Sequence, residues 1–249
     1  MRRVGSQEKG VSNIKAVGFD FFGTLVEAKA EANRCIDSIC QKLHQHEINL
    51  SHDEFTRTYR AAASDQRAVR RSTQKEVSNR VILTETLKRF GYNVEDSSPP
   101  IVEGVEAYFE PWKLSVYEDA WKAVEGLRSA YRFGLISNFT DTLFLRSSLH
   151  RLGLEKYFEF VLVSEEVGWR KPHPLIFNRF LHLMGVEARE TLFVGDDLRC
   201  DIFGAKNVGI KTAWIVRGPN RETDAEVNAI QPDYIVHSLE ELEYLFIFS

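Results

Sequence analysis

The chain is 249 residues long, 43% hydrophobic and 27% charged, and its formal net charge at pH 7 is −4. This length fits one large domain or two unequal domains, and it is sufficient to bury a large hydrophobic core. The mild acidity argues against nucleic acid as a partner, and no run approaches the roughly 20 apolar residues of a membrane span.

The N-terminal segment, residues 1–13, has basic side chains but no apolar stretch after them, so we interpret it as a tail and not as a secretion signal. The cysteines are Cys35, Cys40 and Cys200. An odd, small number of cysteines in a chain of this length indicates a reducing compartment. We therefore expect a cytoplasmic protein without a membrane partner.

The first predicted strand runs from Ile14 to Asp20 and is followed by a turn that contains Gly23 and Thr24. The run is apolar and ends in an acid, which is typical of a buried parallel strand. Such a strand delivers its last side chain to the carboxyl edge of the sheet, where open α/β sheets bind ligands. Taken alone, Asp20 also fits a simple cap of the next turn.

Residues 28–113 have the pattern of an all-helical segment. Apolar side chains recur at helical spacing in the ranges 32–43, 55–69, 77–90 and 101–109. Ser51, followed three residues later by Glu54, has the form of a capping box. Pro99-Pro100 is expected to break the chain before the last of these helices.

From Tyr117 onward, strand and helix signals alternate, which indicates a parallel sheet with crossover helices. We predict helices over 119–131, 141–152, 174–184, 202–208 and 239–246, and strands over 132–138, 160–164, 191–195, 210–216 and 234–236.

Three more polar clusters follow strand-like runs or lie between elements. They are Ser137-Asn138, then Lys171 in a Pro-rich loop before a helix, then the acids Asp196, Asp197 and Asp201. By itself, each cluster has an ordinary interpretation as a helix cap, a surface lysine or acids at the positive end of a helix. Those interpretations do not explain the ordered placement of four clusters at strand ends.

The four clusters resemble the four signature motifs of the haloacid dehalogenase-like (HAD) hydrolase superfamily, in the order of that family. The matching residues are Asp20 with Thr24 and Leu25, Ser137, Lys171 with Pro172, and Gly195-Asp196 with Asp201. The resemblance implies an α/β fold with a Rossmann-like catalytic core of residues 14–27 and 114–249. It also implies a smaller all-helical cap domain at residues 28–113, which would close over the site and exclude water.

The resemblance further implies a role for each matching residue. Asp20 would be the nucleophile and a metal ligand. Further ligands would be the side chains of Asp196 and Asp201 and the backbone carbonyl of Phe22. Whether Asp197 or Asp201 is the second acid of the fourth motif stays open. Ser137 and Lys171 would complete the catalytic set. Thr24, Ser137, Asn138 and Lys171 would contact the substrate, and Thr24 would orient the nucleophile loop.

The chemistry of a phosphate substrate supports these roles. A carboxylate nucleophile splits one hard displacement into two easier steps. The negative phosphate oxygens meet a negative nucleophile, so the site needs a cation, and Mg²⁺ accepts an oxygen-only ligand set. Lys171 would add positive charge, and Ser137 would donate to phosphate oxygens, which is the electrostatic stabilisation that phosphoryl transfer requires.

Phe22 departs from the pattern of the family phosphatases, which usually carry an Asp at this position as general acid and base. Losing such a group typically costs about 10²–10⁴ in rate. Three alternatives remain: a phosphatase for good leaving groups or with another acid, a relative of the 2-haloacid dehalogenases, which place an aromatic residue here, or a weakly active binding protein.

Asp196 and Asp201 favour the first alternative, because extra acids beside Asp20 without a cation would raise a carboxylate pKa and weaken the nucleophile. We therefore expect a cytoplasmic, Mg²⁺-dependent hydrolase that acts on a small phosphorylated molecule through an aspartyl-phosphate intermediate. Neither the substrate nor the oligomeric state can be predicted from residue types.

Overall fold

The computed structural model describes residues 13–217 and 229–247 of the chain. The predicted N-terminal tail, residues 1–13, therefore lies outside the described residues except for its last member. None of the described helices is both long enough and apolar enough to cross a membrane.

The described residues form a six-stranded sheet and a separate two-stranded sheet. The strands are β1 (Ala16–Phe19), β2 (Val26–Lys29), β3 (Lys113–Val116), β4 (Arg132–Ser137), β5 (Phe160–Val163), β6 (Thr191–Gly195), β7 (Lys211–Ile215) and β8 (Tyr234–Val236). The large sheet is parallel throughout, in the order β5-β4-β1-β6-β7-β8. The prediction of an α/β fold with a parallel sheet is confirmed.

The helices of the described residues lie between and after these strands. They are α1 (Ala32–Gln45), α2 (His52–Thr73), α3 (Asn79–Arg89), α4 (Pro99–Phe109), α5 (Glu118–Leu127), α6 (Thr142–Arg151), α7 (Ser164–Val167), α8 (Pro174–Met184), α9 (Gly204–Lys206) and α10 (Glu241–Ile247). A π-helical segment, Leu198–Phe203, runs directly into α9.

Helices cover both faces of the large sheet, which explains why its central strands are apolar along their whole length. Successive side chains of a strand point to opposite faces. Val17 belongs to the buried cluster that includes residues of α5 and α6, whereas its neighbour Ala16 belongs to the cluster that includes residues of α8. In β6, Val194 and Phe193 divide between the two clusters in the same way.

The helical insert, which we define as α1 to α4, lies between β2 and β3. These two strands pair antiparallel, with Val26 opposite Val116, so the chain enters and leaves the insert side by side. The pair was not predicted, since each strand has only four residues and is partly exposed. One buried cluster continues from Phe19 of the sheet to Ile39 of the insert, so the division at residues 28 and 113 stays a prediction.

Several predicted details of the helix ends are wrong. Pro99 and Pro100 begin α4, since the first helical positions need no main-chain hydrogen-bond donor. Ser51 occupies the N-cap of α2, but its side chain makes no capping hydrogen bond. The helix predicted over 202–208 begins at Leu198 because Asp197 caps that position. The helix predicted over 119–131 ends at Leu127.

Candidate active site

Four of the predicted site residues meet in one largely buried cluster at the carboxyl edge of the sheet. Nζ of Lys171 donates a hydrogen bond of 2.6 Å to Oδ1 of Asp20 and lies 2.6 Å from Oδ1 of Asp201. It also donates to the carbonyl oxygen of Ile136 at 2.8 Å. The side chains of Lys171 and Asp20 are only 1% and 9% exposed. Asp196 completes the cluster, since one oxygen from each of the three acids lies within 4.8 Å of the others.

The pairing of β1 with β6 explains why Asp20 and Asp196 are neighbours. Phe19 lies opposite Val194, and the N–H of Asp20 donates to the carbonyl oxygen of Val194 at 2.9 Å. Both strands end at the same edge, and each acid directly follows its strand. β1 lies between β4 and β6, which makes this edge the topological switch point where open α/β sheets bind ligands.

Asp201 joins the cluster because the chain turns back in the π-helical segment. Asp197 caps this segment, and its Oδ1 accepts the N–H groups of Arg199 and Cys200 at 2.9 and 2.6 Å. Oδ2 of Asp201 accepts the N–H of Asp197 at 3.0 Å. Of the two acids left open by the sequence, the structure thus brings Asp201 to Lys171 and uses Asp197 as a cap.

The loop after Asp20 passes close to Asp196 and requires a glycine. Gly23 has a φ of +84°, and a Cβ at this position would overlap the carboxylate of Asp196. Thr24 is fully buried, and its Oγ1 lies 3.5 Å from Oδ1 of Asp196, at the long limit of a hydrogen bond. The carbonyl oxygen of Thr24 accepts two hydrogen bonds from Arg217, at 2.8 and 3.2 Å.

The electrostatics of the cluster are dominated by three acids and one lysine. Burial lowers the pKa of Lys171, but the charges of Asp20 and Asp201 outweigh it and hold that pKa above its usual range, so the ammonium stays protonated. Burial and the charge of Asp20 raise the pKa of Asp196 to about 7. Burial, with the charges of Asp20 and Asp196, raises the pKa of Asp201 well above its usual range despite Lys171.

The donor set of the three acids fits a divalent cation such as Mg²⁺. All the side-chain donors are carboxylate oxygens, which Mg²⁺ prefers. Oδ1 of Asp201 is buried and accepts no hydrogen bond among the described residues, although Nζ of Lys171 lies beside it as an ion pair. With all three carboxylates ionised, the cluster and its one ammonium have a net charge of −2, which a bound cation of charge +2 would balance.

The second-motif residues Ser137 and Asn138 lie on the strand next to β1. Ser137 is the last residue of β4 and is 1% exposed. The side chain of Asn138 holds the Lys171 main chain, since its Nδ2 donates to the carbonyl oxygen of Lys171 at 2.9 Å and its Oδ1 accepts the N–H of Lys171 at 2.7 Å. Its amide is thus engaged with the protein, and substrate contact by Ser137 or Asn138 stays a prediction.

Phe22, two residues after Asp20, packs into a group of aromatic rings. Its ring centroid lies 5.0 Å from that of Phe139 and 5.9 Å from that of Trp112. Phe109 and Phe144 extend the group, with centroids 4.3 Å apart. Phe22 itself is only partly buried. The side chain at this position, where the resemblance would place an acid in a phosphatase, therefore packs against aromatic rings.

Sequence reasoning missed several contacts that support the cluster. Nε1 of Trp214 donates to the carbonyl oxygen of Asp196 at 2.9 Å. Arg217 fixes the main chain of Thr24, as described above, and pairs with Asp119 at 3.0 Å. Glu76 is buried against the loop that precedes Lys171. No local pattern marks these residues, because each acts on a partner that is distant in the chain.

The chain is similar to several known proteins in sequence and in fold. A family model for haloacid dehalogenase-like hydrolases matches residues 14–209. The glyceraldehyde 3-phosphate phosphatase of Pyrococcus furiosus is 44% identical over 92 residues, which are 37% of this chain and 38% of that relative. The protein of the same name from Methanocaldococcus jannaschii is 38% identical over 176 residues, which are 65% of this chain and 76% of that relative.

The matched region covers 38% of the length of the Pyrococcus furiosus protein and 63% and 64% of the length of two other curated relatives. The chain thus spans less than two thirds of these relatives. Among solved structures, the 2-haloacid dehalogenase from Pseudomonas syringae pv. Tomato superposes with a TM-score of 0.71 over 94% of this chain and 98% of that chain. Its sequence identity is 23%, so this likeness shows the fold alone.

Proposed function

Because the chain belongs to the haloacid dehalogenase-like hydrolase family, we propose that it is a Mg²⁺-dependent phosphatase of small phosphorylated molecules, with Asp20 as the nucleophile. The observation that carries the proposal is the ammonium group of Lys171, held 2.6 Å from both Asp20 and Asp201, with Asp196 beside them. A site built for a neutral or singly charged substrate has no need of two further acids next to its nucleophile.

The geometry suits attack by the free oxygen of Asp20. Oδ1 is held by Lys171, and Oδ2 accepts no hydrogen bond among the described residues. Oδ2 would form a bond to phosphorus while the bond from phosphorus to the leaving oxygen breaks, giving an aspartyl-phosphate. Water would then attack phosphorus, release inorganic phosphate and restore the Asp20 carboxylate.

The other residues of the cluster would balance charge and fix positions. Lys171 orients Asp20 and faces the negative charge of the transferring group. Asp20, Asp196 and Asp201, with the backbone carbonyl of Phe22, would hold Mg²⁺, which would screen the phosphate oxygens from the carboxylates. Ser137 would donate to the phosphate, and Thr24 would keep the nucleophile loop in place. Phe22 cannot donate a proton, so the leaving oxygen must take one from solvent or from another group, or leave as an anion.

Two of the relatives are glyceraldehyde 3-phosphate phosphatases, so a phosphorylated three-carbon sugar is the first substrate to try. The helical insert, which lies within the predicted cap domain of residues 28–113, would act as a cap that selects the substrate. We also propose a cytoplasmic location, on the basis of the three cysteines.

The decisive experiment measures phosphate release from p-nitrophenyl phosphate, whose leaving group needs no acid, with Mg²⁺ and with a chelator. We expect release that requires Mg²⁺ and disappears in Asp20→Asn. The matched control is Asp65→Asn, which removes an acid whose side chain is 64% exposed. Release that persists in the chelator or in Asp20→Asn would refute the proposal.

A dehalogenase is the second candidate, and the aromatic contacts of Phe22 favour it, since a departing halide needs no proton. The two reactions differ in where water attacks. In a single turnover in ¹⁸O-water, a phosphatase places the isotope in phosphate, whereas a dehalogenase that hydrolyses an ester of Asp20 places it in the Asp20 carboxylate. Chloride release from short 2-chloro acids in the presence of chelator would support the dehalogenase.

A further inference from the structure

Glu76 is a buried carboxylate that joins the helical insert to the loop carrying Lys171. We propose that Glu76 is a positioning residue, which holds this loop so that the ammonium group of Lys171 meets Asp20. The inference rests on the role proposed above for Lys171. Glu76 lies between α2 and α3, outside the four motifs.

The side chain of Glu76 is 1% exposed and carries charge pairs from two distant parts of the chain. Its Oε1 lies 3.5 Å from Nη1 of Arg70, in α2, and 3.3 Å from Nη1 of Arg170, the residue before Lys171. Oε1 also accepts the N–H of Val77 at 3.0 Å. Burying a carboxylate is costly unless it is paired, so these contacts tie Arg70 and Arg170 to one point.

The second carboxylate oxygen of Glu76 is connected through Ser164 to the residue that follows the second motif, Ser137-Asn138. Oε2 accepts a hydrogen bond of 2.5 Å from Oγ of Ser164. The same Oγ accepts the N–H of Phe139 at 2.9 Å. Phe139 directly follows Asn138, whose amide holds the Lys171 main chain through two hydrogen bonds. A continuous path of hydrogen bonds and main chain thus connects Glu76 with Lys171.

Main-chain hydrogen bonds attach the Glu76 segment to the Lys171 loop directly. The N–H of Glu76 donates to the carbonyl oxygen of Gly168 at 3.0 Å, and the N–H of Arg170 donates to that of Gln74 at 3.1 Å. Between these two hydrogen bonds, Lys75 and Trp169 form an antiparallel β-bridge. The Lys171 loop is therefore held on one side by Asn138 and on the other by residues 74–76.

Replacing Glu76 by Gln keeps its shape but removes the charge that Arg70 and Arg170 share. The two guanidinium groups would then repel each other at the loop that carries Lys171. A misplacement of about 1 Å at a catalytic group can cost about 10²-fold in rate. We expect Lys171 to leave its carboxylate partners more often, which exposes its amine to reagents.

The test follows acetylation of individual lysines by a water-soluble N-hydroxysuccinimide ester, quantified by peptide mass spectrometry. We expect Lys171 to react several-fold faster in Glu76→Gln and in Ser164→Ala than in the wild type, while the exposed Lys113 reacts at the same rate in all. Ser164→Ala removes the hydroxyl group that connects Glu76 to Phe139. This variant serves as the test if Glu76→Gln does not fold. The matched control is Glu85→Gln, on α3, whose side chain is 43% exposed.

Unchanged acetylation of Lys171 in every variant that folds would overturn the inference, as would an equal increase in Glu85→Gln. A kinetic arm on p-nitrophenyl phosphate should show kcat lowered about tenfold or more in Glu76→Gln, with KM changed less than about twofold, because placement of Lys171 acts on the transition state. An equal loss in Glu85→Gln would contradict this. If the wild type releases no phosphate, the proposed function fails, whereas the acetylation rates still decide the role of Glu76.

Discussion

Lys171 and Asp20 are 151 residues apart in the chain, yet Nζ of Lys171 lies 2.6 Å from Oδ1 of Asp20, and both side chains are buried. The contact joins the end of β1 to the loop before α8. Oδ1 of Asp201 also lies 2.6 Å from Nζ of Lys171. A charge pair this deeply buried constrains what each partner can do. The lysine is kept protonated, and the aspartate is kept oriented with one oxygen free.

Removal of the Lys171 charge should damage both stability and activity. In Lys171→Met, the buried acids Asp20 and Asp201 lose their ammonium partner, and breaking a buried pair in this way typically costs about 3–5 kcal/mol. We expect phosphatase activity to fall by at least about 10²-fold. Urea unfolding and phosphate release measure the two effects. The control is Lys113→Met at an exposed position of β3, and equal losses in both variants would contradict the prediction.

Comparing substitutions at Gly23 and Gly91 separates the effect of backbone strain from that of a steric clash. Both have a φ of +84°, but a Cβ at Gly23 would overlap the carboxylate of Asp196, whereas a Cβ at Gly91 meets nothing within 4 Å. We expect Gly91→Ala to lose about 1 kcal/mol of unfolding free energy and to stay active. Gly23→Ala should lose more and be nearly inactive. Equal activity of the two variants would show that the loop need not approach Asp196.

An acid at position 22 should restore the proton transfer that the aromatic ring cannot perform. We expect Phe22→Asp to raise the rate on an alkyl phosphate such as glyceraldehyde 3-phosphate by about 10²-fold, with a smaller gain on p-nitrophenyl phosphate, whose leaving group needs no proton. Phe22→Asn is the control, since it has a similar shape to Asp but no proton to give. A folded Phe22→Asp variant that gains nothing would mean that another group already serves as the acid.

The pair between Asp119 and Arg217 should make stability depend on pH at the acidic end. Burial raises the pKa of Asp119, but the N–H of Leu239 and the guanidinium of Arg217 outweigh it and lower that pKa below 3.8. A carboxyl with a lowered folded-state pKa contributes stability that is complete above its unfolded pKa and is lost as pH falls through the folded value.

We therefore expect Asp119→Asn to be less stable than the wild type by about 1–2 kcal/mol at pH 6, with the difference shrinking below pH 3.8. Urea unfolding at pH 6 and pH 3 measures the difference. Asp65→Asn, which breaks an exposed pair with Arg89, should show little difference at either pH. A difference for Asp119→Asn that stays constant down to pH 3 would contradict the assigned pKa direction.

The parts of the site that follow strands could be predicted from the sequence, and those that depend on distant contacts could not. Asp20 and Asp196 each end an apolar run, so their placement at one sheet edge follows from strand direction alone. The resemblance assigned Asp201 to the site, but its approach to Lys171 depends on the π-helical segment, whose backbone geometry has no sequence signal that we recognised. Glu76 lies in a short polar loop, and its burial depends on Arg170 and Ser164, far away in the chain.

The insert shows the same limit for the fold. Its helices have apolar stripes and were predicted in order, because periodicity is a local property. The pairing of β2 with β3 joins residues such as Val26 and Val116 across the whole insert, and four-residue strands carry too little pattern to reveal it. Pro99-Pro100 shows that the same residues can end one element or begin the next, depending on where the helix starts.

The most direct test traps the covalent intermediate on Asp20. Without an acid–base group at position 22, hydrolysis of an aspartyl-phosphate should be slow, so the intermediate should accumulate during turnover. Acid quenching of the enzyme with Mg²⁺ and p-nitrophenyl phosphate, followed by borohydride reduction, converts a phosphorylated aspartate to homoserine. We predict homoserine at position 20 by peptide mass spectrometry, and none with chelator. Phosphate release with Asp20 unmodified at every quench time, or homoserine at another aspartate, would contradict the account.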